Sequence, residues 1–183
     1  MQYFSYILTN TWWYYNLAVK DIIVVIEISK RKKKISGIWF FGLAGVGKTF
    51  AAQICCKLID RCFLIDGDDV RKFISFDLGY SESDREIQIK RVLGLAEIAI
   101  KNDQVPVVST VTMSKEVSQR CSLLSFDLAH IIRPIDQLRE VRDIYDKEHN
   151  IVGLDIQEKD FDVQKIYNNG DESFVGAIKR FVE

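Results

Sequence analysis

Gly42-Leu43-Ala44-Gly45-Val46-Gly47-Lys48-Thr49 is the stretch on which the fold turns. It fits G-x4-G-K-[ST] at every fixed position, the Walker A pattern of a phosphate-binding loop. Glycines let the backbone curl so that several N–H groups point inward at phosphate oxygens. The helix that follows adds the positive partial charge of its N-terminus. In this reading the backbone of Gly42, Ala44, Gly45, Val46 and Gly47 cradles the phosphates of ATP. Lys48 reaches the β- and γ-phosphates, and Thr49 offers its hydroxyl to Mg2+.

The motif has meaning only between a strand and a helix. Ile38-Trp39-Phe40-Phe41 reads as the strand, and Thr49 to Ile59 as the helix, with Phe50, Ala51, Ile54 and Leu58 at helical spacing. Outward from there, short apolar runs alternate with helical stretches. Phe63-Leu64-Ile65 is a second strand ending at Asp66, and Val105 to Val111 a third, entered through Pro106. Ser81 offers an N-cap, with Asp84 three residues on, for a helix to about Asn102. Phe126 to Ile132 is a fourth strand, followed by a helix near Pro134 or Ile135. Phe174, Val175, Ile178 and Phe181 suggest a short C-terminal helix covering the sheet. Such alternation indicates an α/β fold: three layers, a parallel sheet flanked by helices, the P-loop NTPase arrangement.

Composition bounds the function. The 183 residues suit one domain, and 48% are hydrophobic, which excludes a disordered or low-complexity chain. With 25 Lys+Arg against 26 Asp+Glu the net charge is −1, so a dedicated nucleic-acid binder is not expected. Cys55, Cys56, Cys62 and Cys121 show no metal spacing, which argues against a zinc site. Cys55 and Cys56 fall within an apolar helical pattern and read as buried thiols in a reducing cytosol, so a cytoplasmic location is expected. His130, inside the fourth strand, reads as a packed core histidine. His149 reads as solvated.

Seven of the 21 aromatic residues lie in the first fifteen positions. Residues 3–19 carry no charge, but Thr9, Asn10, Thr11 and Asn16 interrupt the run and no basic segment precedes it. Neither a spanning helix nor a secretory signal is expected. Residues 1–35 read as an N-terminal extension packed onto a kinase-like domain at 36–183, ahead of a peripheral membrane contact through the basic patch Arg31 to Lys34.

Asp66-Gly67-Asp68-Asp69-Val70-Arg71 follows the second strand. The carboxyl ends of parallel strands share one edge, so this segment is delivered beside the γ-phosphate. A carboxylate there can orient an acceptor hydroxyl, accept its proton, or hold Mg2+ through water. An arginine there can clamp an anionic acceptor. Taken alone, the stretch would pass for an acidic surface loop with a helix-capping aspartate.

The phosphate loop, then Asp66 to Arg71, then Leu78-Gly79-Tyr80-Ser81-Glu82-Ser83-Asp84-Arg85 resembles the adenylylsulfate kinase family, in order and spacing. Ile38-Trp39-Phe40 is similar to its entering strand, and Phe126 through Pro134 to Arg142-Asp143 to its fourth strand and lid. The resemblance covers roughly residues 37–156. It implies transfer of the γ-phosphate of ATP to the 3′-hydroxyl of a nucleotide, adenylylsulfate first among acceptors. It implies catalytic roles for Lys48, Asp66 and Asp68, with Thr49 and Asp66 at the metal. Arg71 and Arg85 fall on acceptor-binding arginines, and Tyr80 on an aromatic that stacks on the acceptor base. Arg142 falls in the lid, where the family places an arginine near the ATP base. The family often dimerises, so a homodimer is an available assembly.

The departures bear on the acceptor. Val111-Thr112-Met113-Ser114 stands where the family usually has Ile-Ser-Pro-Tyr, so Thr112 keeps a hydroxyl while proline and tyrosine are absent. Gln88 replaces a common asparagine near the acceptor. Ile144-Tyr145 represents a shortened lid, and Ile151-Val152-Gly153-Leu154-Asp155 stands for Phe-Thr-Gly-Ile-Asp. Ile151 thus takes the place of the second aromatic face, a stacking partner worth about 1–3 kcal/mol by analogy with single-strand binders. Three readings stay open: an adenylylsulfate kinase, a relative acting on another nucleotide such as cytidine diphosphoramidate in capsule synthesis, and a non-catalytic nucleotide-binding interaction module.

Overall fold

Strand β1 (Ile38–Phe41) is buried at every position, as a continuous apolar run covered on both faces must be. The computed structural model describes residues 35–139 and 151–183. The aromatic opening and basic patch within 1–34, together with Arg142-Asp143, Ile144-Tyr145 and His149, lie outside the described residues.

After β1 come α1 (Lys48–Cys56), β2 (Cys62–Asp66), α2 (Gly67–Phe73), α3 (Glu82–Lys101), β3 (Val105–Thr110), α4 (Lys115–Leu123), β4 (Asp127–Ile132), α5 (Ile135–Arg139), β5 (Gln164–Tyr167) and α6 (Glu172–Val182). The strands form one sheet in the order β2-β3-β1-β4-β5, with every neighbouring pair parallel. This is the α/β arrangement read from the alternating pattern. Side chains of β1 alternate between two cores. Ile38 and Phe40 join Ala51, Ala52 and Cys55 of α1 and Phe174 and Ile178 of α6. Trp39 and Phe41 join Ile89, Val92 and Ala96 of α3 and Val117 and Cys121 of α4. Helices therefore cover both faces.

Local chemistry sets the boundaries. The Ser81 hydroxyl accepts from the Asp84 N–H at 3.2 Å and donates to the Asp84 carboxylate at 2.7 Å, closing the start of α3. Ser114 caps α4 by accepting from the Val117 N–H at 3.2 Å. The buried Trp39 ring donates to the Thr110 hydroxyl at 2.8 Å, and that hydroxyl donates to the Thr112 carbonyl at 2.8 Å. The indole is thus satisfied and the exit of β3 is fixed. His130 is buried and stacks on Phe41 at 4.8 Å, as a core histidine would, while its Nε2 contacts Glu158 at 2.9 Å.

Three expectations need correction. The helix after the phosphate loop ends at Cys56 rather than Ile59, because a turn at 57–61 must reverse the chain into β2. Its buried stripe is Lys48, Ala51, Ala52 and Cys55; Phe50 and Leu58 are half-exposed, at 51% and 50%. Starting at Lys48 places the small residues inward, while Phe50 turns sideways onto Phe174, ring centroids 6.4 Å apart. Finally, Cys56 is not a buried thiol but is disulfide-bonded to Cys62. The turn brings the two Cα atoms to 5.2 Å, a separation a disulfide spans. Cys55 and Cys121 are buried thiols, and burial pushes both up to about 12. Among the described residues no helix is long and apolar enough to cross a membrane.

Ile178 is fully buried where α6 meets the α1 side of the sheet. Ile178→Ala should cost about 2–5 kcal/mol of stability in urea unfolding. Leu123→Ala, at a site 77% exposed, should change it by less than about 0.5 kcal/mol.

Candidate active site

Parallel register decides which side chains meet. Asp66, the last residue of β2, is paired with Ser109 of β3, and β3 lies directly beside β1, from which the phosphate loop emerges. The carboxyl ends of the three strands therefore gather the loop, Asp66 and Ser109 at one edge. The Thr49 hydroxyl donates to Asp66 Oδ2 at 2.6 Å, and the Ser109 hydroxyl donates to the same oxygen at 2.7 Å. Asp66 Oδ1 accepts from the Asp68 N–H at 2.9 Å, which makes Asp66 the N-cap of α2. Burial alone would raise the Asp66 pKa. The bonds from Thr49, Ser109 and the Asp68 N–H, with the Lys48 charge, outweigh it and hold the carboxyl below its ordinary value. Asp66 is an anion at neutral pH.

The loop needs its glycines. Gly42 has φ 141°, and a Cβ there would run into the Ile131 carbonyl. Gly47 has φ 102° and serves as the N-cap of α1 with no side-chain capping bond, so no side chain occupies the N-terminal end of that helix. Lys48 is buried, its Nζ donating to the Leu43 carbonyl at 2.7 Å. Val46 is wholly buried, its side chain in the core and its carbonyl accepting from Asn168 Nδ2 at 2.8 Å.

A second group converges from α2, α3 and the segment between them. Arg71 donates to the Gly79 carbonyl, and Arg85 Nε to the Tyr80 carbonyl at 3.1 Å. The two guanidinium carbons lie 4.7 and 5.6 Å from the Tyr80 ring centroid, within cation–π range. Burial, then the neighbouring Arg71 charge, lowers the Arg85 pKa from its ordinary value. An anion placed beside the pair relieves that strain. Gln88 is buried, its Nε2 donating to the Gly67 carbonyl at 3.0 Å, while its Oε1 has no hydrogen-bond partner among the described residues.

One cleft of about 630 Å3 joins the two groups. Its wall includes Ala44, Gly45, Gly47, Lys48 and Thr49 of the loop, and Asp66, Asp68, Arg71, Tyr80, Arg85, Gln88, Thr112 and Ile151 beyond it. Gly42 and Val46 are not on the wall; they shape the loop from behind. Arg142 lies outside the described residues. Ile151 reaches the cleft but is only 6% exposed and packs in the core with Leu43 and Val46. A recess beside the cleft, lined by Phe41, Met113 and Ile156, shares Arg85, Ile89, Val111, Thr112 and Val152 with it. Met113 is buried there, which is where the missing proline and tyrosine would change the wall. Among the described residues no cluster of His, Cys, Asp and Glu forms a metal cage.

Two members of this edge escaped the sequence reading. Ser109 stands beside Thr110 at the end of an apolar strand, and only register with β2 reveals its partner. Asn168 is 122 residues from the carbonyl it holds. Its position at the end of β5, a strand with one buried residue in four, left no periodic signal.

Fold and loop together define a phosphate-loop protein of the α/β kinase type. Residues 34–181 match the model of the adenylylsulphate kinase family, and the chain belongs to that family. It is 34% identical over 86 residues to an adenylyl-sulfate kinase of Pseudomonas aeruginosa, covering 45% of this chain and 44% of the relative. It is 26% identical over 161 residues to that of Shigella flexneri, covering 80% of each. The chain thus spans about half the length of several relatives it matches, 52% for that of Burkholderia ambifaria. The fold is shared with the Mycobacterium tuberculosis APS kinase solved with AMPPNP and APS, at TM-score 0.66 and 20% identity, over 79% of this chain and 96% of that one.

Ser109→Ala removes one of the donors that favour ionised Asp66, so its pKa should rise. A carboxyl held low contributes stability above its unfolded pKa and loses it as pH falls through the folded value. The acid loss of stability that Asp66 contributes should therefore be smaller and complete at higher pH in Ser109→Ala, with the Asp66 titration followed by carboxyl NMR. An unchanged titration would contradict the hydrogen-bond account.

Proposed function

We propose that the protein transfers the γ-phosphate of ATP to the 3′-hydroxyl of an anionic nucleotide, with adenylylsulfate the leading acceptor. The observation that carries this reading is the cleft itself. A phosphate loop with Lys48 and Thr49 faces Asp66, Asp68 and the Arg71–Tyr80–Arg85 group across one space. Family membership supports it, as does the Mycobacterium relative's complex with AMPPNP and APS.

In the proposed step the acceptor oxygen bonds to the γ-phosphorus. The bond from that phosphorus to the β–γ bridging oxygen breaks, and ADP departs with its electron pair. Lys48 leaves the Leu43 carbonyl for the β- and γ-oxygens, a stronger charge-assisted partner. Asp66 is a poor base, since three donors already hold it ionised. Asp68, exposed two residues further on, takes the hydroxyl proton. Arg71 and Arg85 hold the acceptor's anionic group, and Tyr80 supplies a face for its base. Thr49 Oγ1 and Asp66 Oδ2, 2.6 Å apart, are hard oxygen donors of the kind that hold Mg2+ together with substrate phosphates. That ion, when bound, neutralises charge on the phosphates.

One observation favours a second acceptor class. Ile151 is locked in the core rather than presenting a ring opposite Tyr80. A smaller pyrimidine, as in cytidine diphosphoramidate, depends less on a second stacking face.

ADP release with ATP and Mg2+ should be stimulated by adenylylsulfate, or failing that by a cytidine-based acceptor; tight ATP binding with no acceptor-dependent release would contradict the kinase reading. Lys48→Ala should cut turnover at least about a hundredfold. Arg71→Ala should raise the acceptor KM about 10–100-fold and leave the ATP KM nearly unchanged; equal effects on both would count against its role.

A further inference from the structure

Behind the phosphate loop, on the side away from the cleft, stands a buried amide that the reaction scheme does not use. Asn168 follows β5, and its backbone N–H donates to the Ile132 carbonyl at 2.9 Å, continuing the β4–β5 ladder. Its side chain is fixed at both ends. Oδ1 accepts from the Gly170 N–H at 2.9 Å, and Nδ2 donates to the Val46 carbonyl at 2.8 Å. Reversing the amide would set oxygen against the Val46 oxygen and nitrogen against the Gly170 nitrogen, so the orientation is determined. Asn168 is 9% exposed and Val46 wholly buried. The bond therefore lies out of water, where an unmade partner is expensive.

The same side chain closes off the space at Gly47. A Cβ on Gly47 would stand 2.6 Å from Asn168 Nδ2 and 3.2 Å from the Phe174 ring. Asn168 and Phe174 thus form the wall against which the last glycine of the loop turns. The peptide joining Val46 to Gly47 is rigid and planar. Holding the Val46 oxygen on the buried side therefore holds the Gly47 N–H on the opposite side, toward the cleft. Gly47 offers α1 no side-chain cap, so the loop's shape depends on this support from outside.

We propose that Asn168 is a positioning residue for nucleotide binding, which acts through the Val46–Gly47 peptide to keep the loop's N–H groups aimed at the triphosphate. The proposal rests on the reading of the loop as a nucleotide cradle and is independent of the acceptor. A long-range tether of this kind places the end of the sheet in control of the loop at its start. Replacing the amide by a carboxylate of the same shape reverses the sign of the contact. It opposes an anionic oxygen to the Val46 carbonyl and puts negative charge behind an anion site.

The test is calorimetric titration of the full chain with AMPPNP and Mg2+, beside thermal unfolding without nucleotide. Asn168→Ala should weaken binding roughly fivefold to tenfold, the loss of one neutral hydrogen bond. Asn168→Asp should weaken it further, on the order of thirtyfold, as a contact to a charged group would. Adenylylsulfate affinity should stay within about twofold in both. If Asn168→Asp does not fold, Asn168→Ala carries the comparison without added charge. AMPPNP affinity unchanged in folded variants, with only a lowered unfolding midpoint, would reduce Asn168 to a structural residue and overturn the proposal. Equal losses for both ligands would overturn it as well. No AMPPNP binding by the unaltered chain would instead overturn the cradle reading on which it rests.

Discussion

Asp66 accepts three hydrogen bonds from three different parts of the chain: the hydroxyl of the first turn after the phosphate loop, a hydroxyl of the neighbouring strand, and the N–H of its own following helix. Each donor stabilises the anion, and together with the Lys48 charge they outweigh the burial that would otherwise raise its pKa. The consequence is geometric as much as electrostatic. The same carboxylate ties α1 to β2 and β3, so the end of the phosphate loop and the neighbouring strand ends are built against one fixed point. Parallel register makes this possible, since Asp66 and Ser109 are paired across the ladder.

Around that point the positively charged side chains are already close to their expected work. Lys48, Arg71 and Arg85 each donate to a backbone carbonyl. A carbonyl is a neutral partner, weaker than a phosphate or sulfate oxygen. Exchange of one for the other favours anion binding while requiring short side-chain movements. The crowding of Arg85 by burial and by Arg71 works in the same direction. The support of the Val46 carbonyl by Asn168 extends this preorganisation to the far edge of the sheet.

Much of this was legible in the chain because its signals are local. The loop motif specified a strand and a helix around it, and β1 and α1 are there. Ser81 and Asp84 marked the start of α3 through a reciprocal cap that needs only four residues. Tertiary partners were less accessible. Phe50 and Leu58 fit a helical period, yet the smaller Ala52 and Cys55 take the inward face because α1 packs closely on the sheet. α2 was hidden within an acidic segment, and its cap is the same Asp66 whose other bonds belong to the site. β5 presents Gln164, Lys165 and Tyr167 outward with Ile166 alone buried, a pattern too short for period 2 to register. The Cys56–Cys62 pairing depends on where α1 stops, which periodicity placed three residues late. Ile151 could be aligned with an aromatic position, but its burial against the loop core appears only in three dimensions.

The central claim is that the loop, the Asp66 node and the arginine–tyrosine group form one site for phosphoryl transfer to a nucleotide hydroxyl. Its most direct test follows the phosphate itself, using ATP labelled in the γ-position with adenylylsulfate and, in parallel, its 3′-deoxy analogue. The account predicts label on the 3′-oxygen of adenylylsulfate and no labelled nucleotide product from the analogue. Label recovered only as inorganic phosphate, or transferred equally to the 3′-deoxy analogue, would contradict it.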